Sequence, residues 1–332
     1  MRLAFLVNDV DTEIDEYATT RLARAASRRG HETWYVGVGD FELGSSDGQF
    51  AAMARAARWK SDDTLASFME GIKARDAERV VMDDLDALVL RNESIDDLQE
   101  RPWASPMGVV FGRMLADRGV TVVNDPVNLH RATSKLYLEE FPESVRPRSL
   151  VTRDPEAIER FVDEIGRSVV KPLYGAKGRN VFMIEGPGET NLTQMTEAVL
   201  QEGYAIVQEF IDGGEDGDAR IFLLEGRILE RDGRQAAFRR VPTGNDPRAN
   251  ISKGGRSVPL EIGEAELGIV EAIGDKLVAD GMFLVGIDVI GDKIVEINPE
   301  SPGGFQSVER LYDIDIAETV IEALERRVVA GS

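Results

Sequence analysis

The chain has 332 residues, 42% hydrophobic and 30% charged, more than a single core usually accommodates. It contains no cysteine and two histidines, His31 and His130, which excludes disulfides, thiolate nucleophiles and Cys-based or multi-His metal sites. A formal net charge of -21 argues against a uniformly basic groove and so against a nucleic-acid partner; it also makes any Arg/Lys cluster a pointer to a local anionic ligand.

The first apolar run, Leu3–Val7, is too short for a signal peptide and reads as a strand. No apolar stretch reaches the ~20 residues that span a bilayer, so no membrane partner is expected, and the absence of disulfides fits a cytoplasmic location. Glu16–Arg29 is a helical stretch rich in Ala and Arg, closed by Gly30, and Thr33–Val38 is the next strand. Strand, helix, strand at this spacing predicts a parallel, doubly wound sheet. A helical region is expected around Gln49–Trp59, a strand over Leu85–Leu90, a helix over Met107–Asp117 and a strand over Val120–Val123. Residues 1–123 thus read as one α/β lobe.

Asn124, Asp125 and Pro126 break the pattern. Ser134–Glu140 is expected to be helical, with Pro142, Pro147 and the pair Asp154-Pro155 punctuating a linker. Ser168–Lys171 and Asn180–Ile184 read as two strands of a hairpin-like unit around a glycine-rich turn, Gly175–Gly178. A helix over Thr190–Glu202 and strands over Ala205–Phe210, Ala219–Leu224, Arg227–Asp232 and Gln235–Val241 follow. After a helix over Ala265–Ala279, Leu284–Ile290 and Lys293–Ile297 form a hairpin around Gly291 and Asp292, a pair suited to tight reversal. Asp315–Val328 is the last helix. The expected division is 1–123, 124–205 and 206–332.

The sharpest chemical feature lies in that hairpin. Residues two apart on a strand share a face, so Glu296 and Asn298 point the same way and Asp288 can face them across the pair. Two carboxylates and an amide oxygen suit Mg²⁺, or Mn²⁺ in its place, which takes hard oxygen ligands and keeps positions for phosphate and water. An exposed polar strand face is the alternative. The flanking Val285, Ile287, Val289, Val295 and Ile297 argue for burial, where unpartnered acids are costly.

A second feature is Lys171 at a strand end before Gly175, Lys177 and Gly178. A lysine there can reach phosphate, and glycines let backbone N–H groups approach a polyphosphate. The spacing is not that of a Walker A loop, and an ordinary glycine turn remains open. A third is the strand end Gln208, Glu209, Phe210 and Ile211, which offers backbone groups and an acid to an adenine and its ribose, or is simply a polar strand end. The fourth is a basic set, Arg239, Arg240, Arg248, Lys253 and Arg256, interleaved with Asn250. Guanidinium groups grip carboxylates and phosphates bidentately, although exposed charge is the ordinary reading of such a run.

Taken in chain order, these features resemble the ATP-grasp superfamily, and over nearly the whole chain they resemble bacterial glutathione synthetase. The run Val122–Pro126 followed by Ser134, Lys135 and Tyr137 is similar to the opening of that family's nucleotide lobe, with Lys135 as its first phosphate lysine. Lys171 to Gly178 resembles the second lysine and the glycine-rich lid, and Glu209–Ile211 the adenine hinge. Asp218 and Arg220 match a Gly-Asp-x-Arg motif, and Arg240, Arg248 and Asn250 match groups at the acyl-phosphate region. Asp288, Glu296 and Asn298 match the magnesium ligands.

The resemblance implies an α/β chain: an ATP-grasp fold, with α+β lobes, behind an N-terminal doubly wound domain. It implies ATP and Mg²⁺ as cofactors, small-molecule carboxylate and amine partners, and a homo-oligomer. It also implies a two-step ligation through an acyl phosphate, as in joining γ-glutamylcysteine to glycine. No protein nucleophile is needed: Lys135, Lys171, the arginines and the metal would neutralise charge.

Two departures stand at the substrate end. After Arg91 the family has an Asp-Pro-Pro-Phe-Asp-like run where this chain reads Asn92, Glu93, Ser94, Ile95, Asp96. After Asn298 the family has a Thr-Ser-Pro-Thr-like run where this chain reads Pro299, Glu300, Ser301, Pro302, Gly303. The second is nearer to ribosomal-protein glutamate ligases, which leaves a peptide or amino-acid ligase as the alternative within enzymes. A nucleotide-binding module without catalysis is the alternative outside them.

Overall fold

The computed structural model describes residues 1–44, 48–174, 180–214, 217–242 and 256–331. Three sheets organise these residues.

The first sheet is built on β1 (Arg2–Val7), which pairs in parallel with β2 (Glu32–Gly37) on one side and with β6 (Ala87–Leu90) on the other; β7 (Thr121–Val123) extends it beyond β6. Side chains alternate across a strand. Leu3, Phe5 and Val7 therefore enter a core with α1 (Ala18–Arg28) and α2 (Leu65–Lys73), while Ala4 and Leu6 enter another with α4 (Met107–Ala116). Both faces are covered, as a doubly wound sheet requires; a short helix, α3 (Ser94–Glu100), lies between β6 and α4 in the chain.

The far edge of this sheet corrects one expectation. Phe50–Ala56 is not helical: it forms β4, antiparallel to β2 and flanked by β3 (Phe41–Leu43) and β5 (Glu78–Val81). Its alanines favour a helix intrinsically, but Phe50, Ala52, Ala54 and Ala56 all enter one core at period two. Pairing on three neighbours overrides propensity here.

After β7, α5 (Pro126–Ala132) is capped by Asp125. Asn124, 5% exposed, ties the first sheet to the last. Its Nδ2 donates to the carbonyls of Leu284 and Pro299 at 3.0 and 2.6 Å, and its Oδ1 accepts from the N–H groups of Phe283 and Leu284.

The stretch expected to be a linker holds structure. β8 (Ser149–Thr152) opens the second sheet, and α6 (Pro155–Ile165) begins with Asp154 as N-cap and Pro155 in the first turn, then ends at Gly166 with φ +78°. The Asp-Pro pair is thus a helix start and not a break. The second sheet runs β10 (Phe182–Ile184), β9 (Ser168–Pro172), β11 (Ala205–Glu209), β8, all antiparallel, with α6 and α7 (Leu192–Leu200) on one face.

The third sheet is centred on β12 (Asp218–Leu224), whose end pairs with the short β13 (Arg227–Ile228); a small ribbon, β14 (Glu230–Arg231) with β15 (Arg234–Gln235), leads on to β16 (Ala237–Val241). The full order is β17 (Arg256–Pro259), β16, β12, β18 (Leu284–Ile290), β19 (Lys293–Asn298). α8 (Glu264–Ala279) covers one face. Two further helices, α9 (Phe305–Tyr312) and α10 (Ile316–Gly331), return to the first lobe, where Val320, Ile321 and Leu324 share a core with Phe5 and Leu22. Arg21 and Arg24 of α1 bind Glu309 at 2.6 and 2.7 Å, and Arg24 also reaches Asp315 at 2.7 Å.

Candidate active site

The three sheets meet at a cleft of about 1350 Å³. That exceeds the 300–1,000 Å³ usual for a single small ligand and leaves room for a nucleotide beside further substrates.

At one end stands the β18–β19 hairpin. Asp288 lies directly opposite Glu296, and Gly286 opposite Asn298, so the acid–acid–amide set shares a face. The three are not equivalent. Asp288 is 1% exposed. It accepts from Arg220 Nε and Nη2 at 2.5 and 2.9 Å and pairs with Arg240 at 2.8 Å, while Asn298 Nδ2 lies 3.3 Å away. Arg240 is held in turn by Asp218, with Nε donating to Oδ1 at 2.9 Å. Burial works against charge on Asp288, but Arg220 and Arg240 outweigh it and hold the carboxyl below its ordinary value. Asp218 moves the other way, raised by burial and by the charge of Asp288.

Glu296 is open to the cleft, its side chain 40% exposed, with Lys135 Nζ at 3.9 Å. Lys135 opens a 3-10 turn capped by Ser134. Lys171, at the end of β9, reaches the same place, where burial lowers its ammonium to about 8 against the attraction of Glu296. Glu296, Asn298 and Asp288 offer the hard oxygen donors Mg²⁺ takes. They would hold it with Glu296 facing the lysines and Asp288 behind them, sharing its charge with two guanidinium groups. Among the described residues no three His, Cys, Asp or Glu side chains gather as an alternative metal site.

Lys135, Lys171, Gln208, Arg220, Arg240, Glu296 and Asn298 line the one cleft. Glu209, Phe210 and Ile211 are not among its lining residues: Glu209 accepts from the Arg148 N–H at 3.3 Å, and the Phe210 ring carries the Arg167 guanidinium 3.8 Å from its centre. Asp218 and Asp288 meet the cleft through Arg240 and Arg220. Gly175, Lys177, Gly178, Arg248, Asn250 and Lys253 lie outside the described residues.

The other end of the cleft contains Arg91 and Glu300, which belong to the two departures noted in the sequence, and Glu13, which no motif singled out. Arg91 follows β6 and is 5% exposed; it donates to Thr19 Oγ1 at 3.2 Å and to the Pro302 carbonyl at 3.4 Å. Burial lowers it to about 10. Glu13, 6% exposed, is pushed up to about 7 by burial, with Arg91 opposing. Glu300 is also raised to about 7, first by burial and then by the charges of Glu93 and Asp96, while its carboxylate accepts from the Ser94 N–H at 3.3 Å. A topological signal does point here: the chain leaves β1 first to β2 and later to β6 on the opposite side. Ligands of open α/β sheets sit at such a switch, beyond the carboxyl ends of the strands.

Models of two domains match the sequence: the prokaryotic glutathione synthetase N-terminal domain over residues 1–130 and the prokaryotic glutathione synthetase ATP-grasp domain over residues 134–313. A glutathione synthetase of Synechococcus elongatus is 32% identical, with 100% of each chain covered. One of Vibrio cholerae is 31% identical over 92% of this chain and 91% of its own. Among solved structures, the ATP-grasp ligase PsnB complexed with minimal precursor, Mg and ADP superposes with a TM-score of 0.61 at 20% identity, covering 98% of this chain and 97% of that one.

Proposed function

The chain belongs to the prokaryotic glutathione synthetase family and is an ATP-dependent, ADP-forming ligase that makes C–N bonds, and from that premise we propose how its residues divide the work. The family works with ATP and Mg²⁺. The observation that carries the assignment is the meeting of Lys135, Lys171 and Glu296 in one cleft with Arg240. Lys135 and Lys171 hold the phosphates, and Glu296, Asn298 and Asp288 hold Mg²⁺, which neutralises phosphate charge when bound. A substrate carboxylate attacks the γ-phosphate, the bond from that phosphorus to the β-phosphate oxygen breaks and ADP is the leaving group; Arg220 and Arg240 offset the anionic charge that gathers there. An amine nitrogen then bonds to the acyl carbon and gives up a proton as the C–O bond to phosphate breaks and inorganic phosphate leaves.

Arg248, Asn250 and the Gly175–Gly178 lid, with Lys177, keep the roles the resemblance implies, as does the Gln208–Ile211 segment toward adenine. Asp218 acts through Arg240. Of the expected lobes 1–123, 124–205 and 206–332, each has its own sheet, but the second division falls inside β11 (Ala205–Glu209) of the second sheet, so we place it beyond Glu209. Small-molecule substrates, a cytoplasmic homo-oligomer, and Mn²⁺ as a substitute metal complete the reading. No helix among the described residues is long and apolar enough to cross a membrane.

The test is coupled ADP release with Mg²⁺, beginning with γ-glutamylcysteine and glycine, the pair named by the family activity. Glu296→Ala is expected to abolish release while melting within a degree or two of the parent, because its side chain is 40% exposed. A folded Glu296→Ala protein with parental turnover would remove the assignment. The peptide-ligase alternative keeps one observation in its favour: Ser301, Pro302 and Gly303 lie on the cleft wall. Release with acidic peptides or free amino acids but not with γ-glutamylcysteine decides for it.

A further inference from the structure

Lys135 opens a 3-10 turn of six residues, Lys135–Glu140, that brings its Nζ to 3.9 Å from Glu296. A 3-10 turn has poor hydrogen-bond geometry and holds its place badly by itself. Its anchor lies away from the cleft. Tyr137, 1% exposed, donates its hydroxyl to Asp280 Oδ2 at 2.7 Å. Lys276 Nζ donates to the same oxygen at 2.8 Å, and Arg131 Nη2 meets Oδ1 at 3.0 Å. Glu140, the last residue of the turn, takes the other side of both cations, 2.9 Å from Lys276 and 3.2 Å from Arg131. The turn is thus tied to the end of α8 at Tyr137 and again at Glu140.

Two observations separate Asp280 from an ordinary surface acid. It is the C-cap of α8, where the helix dipole presents its negative end and an acid is the unfavourable choice. Its side chain is only 14% exposed. Burial works against its charge, yet Lys276 and Tyr137 outweigh burial and hold the carboxyl below its ordinary value. Its partners, not the helix, stabilise a charge there. In addition, Asp280 begins the junction that leads into β18. The Gly281 carbonyl accepts from the Asp125 N–H at 3.1 Å, Asn124 Oδ1 accepts from the N–H groups of Phe283 and Leu284, and β18 then carries Asp288. One junction therefore meets both the turn that bears Lys135 and the strand that bears a metal donor. Asp280 itself is not among the residues that line the cleft.

We propose that Asp280 is a positioning residue: through Tyr137 and the Lys135–Glu140 turn, it sets the reach of Lys135 toward the nucleotide phosphates relative to the metal donors of β18 and β19. It touches no reacting atom. Its carboxylate orients the phenol, the phenol fixes the turn two residues beyond Lys135, and the ammonium stands in register with Asp288 and Glu296. A lysine on an untied turn would lose its freedom only on meeting phosphate, and affinity would fall by that entropy. The inference rests on the ligase reading above, because it takes Lys135 as a phosphate lysine of that reaction.

The test titrates ATP with Mg²⁺ into the whole chain by calorimetry, with neither carboxylate nor amine present. Lys135→Met is expected to weaken ATP by roughly 10–100-fold, the span of one charge-assisted hydrogen bond. Asp280→Asn should weaken ATP by roughly 3–10-fold and Tyr137→Phe by about 3-fold, within the couplings found inside one hydrogen-bond network. Combined with Lys135→Met, neither change should weaken ATP further. A purely structural role predicts something else: a lower melting midpoint with parental ATP affinity, or the same loss of affinity in both backgrounds. Either result overturns the inference. Tyr137→Phe leaves Asp280 paired with Lys276 and Arg131, so it decides the point even if Asp280→Asn does not fold. Lys135→Met weakened as expected, with Asp280→Asn and Tyr137→Phe at parental affinity, sinks the positioning role alone and leaves the ligase reading intact. A folded Lys135→Met protein that binds ATP like the parent removes the phosphate lysine from that reading, and the positioning role goes with it.

Discussion

Replacing Asp288 by Asn removes the one negative charge that Arg220 and Arg240 share. The side chain is 1% exposed, takes two N–H bonds from Arg220 and lies 2.8 Å from Arg240. An amide of the same shape keeps one acceptor and sets an NH₂ against two guanidinium groups. Removing one partner of a buried ion pair costs roughly 3–5 kcal/mol, because the remaining charge stays buried and uncompensated. At about 1.4 °C per kcal/mol for a chain of 332 residues, from an unfolding entropy of about 2.1 cal/mol/K per residue, the melting midpoint should fall by roughly 4–7 °C. The sign with pH follows from the lowered carboxyl: its contribution is complete above the ordinary Asp value and is lost as pH falls toward the folded value, so the gap between the two proteins narrows in acid. The assay is calorimetric melting of Asp288→Asn beside Glu296→Gln at pH 7 without nucleotide. Glu296, at 40% side-chain exposure, should shift the midpoint by no more than about 2 °C. An Asp288→Asn protein that melts within about 2 °C of the parent would refute the buried-pair argument.

Glu13 should show the opposite pH behaviour. Its acid is raised from 4.5 to about 7, so the folded state binds the proton more tightly and stability falls as pH rises through that window. Glu13→Gln should therefore stabilise by up to about 3 kcal/mol at pH 8 and by little near pH 4.5; equal urea midpoint shifts at the two pH values would disprove it. Asn124→Ala strips four buried backbone groups of their partner and should cost about 2–4 kcal/mol, read from urea unfolding. Gly217 has φ +96° and packs against the Arg240 backbone, so Gly217→Ala should push β16 outward. Lower kcat with nucleotide affinity kept would report displacement of Arg240, and unchanged turnover would show that the strand has room to spare.

The sequence by itself determined the parts whose reach is local. Strand periodicity placed Glu296 and Asn298 on one face with Asp288 opposite, and the register agrees. The apolar runs gave the parallel centre of the first sheet, and the strands on either side of Gly175–Gly178 do pair, Phe182 opposite Val170. Local signals misled where they were ambiguous or weak. Alanines at 51–56 favour a helix, yet three neighbouring strands make them β4; Asp154-Pro155 marks a helix start as readily as a break.

Tertiary structure alone decided what depends on distant segments meeting. Residues 220, 240 and 288 form one ion cluster only because β16, β12 and β18 are neighbours in the sheet. Ser94 and Glu300 touch across 206 positions, and α10 closes a core begun at Leu3. Charge and hydrophobicity are written in the sequence, but which opposite charge, donor or apolar face each group meets is set by strand order. That order is fixed by the burial of all the segments at once.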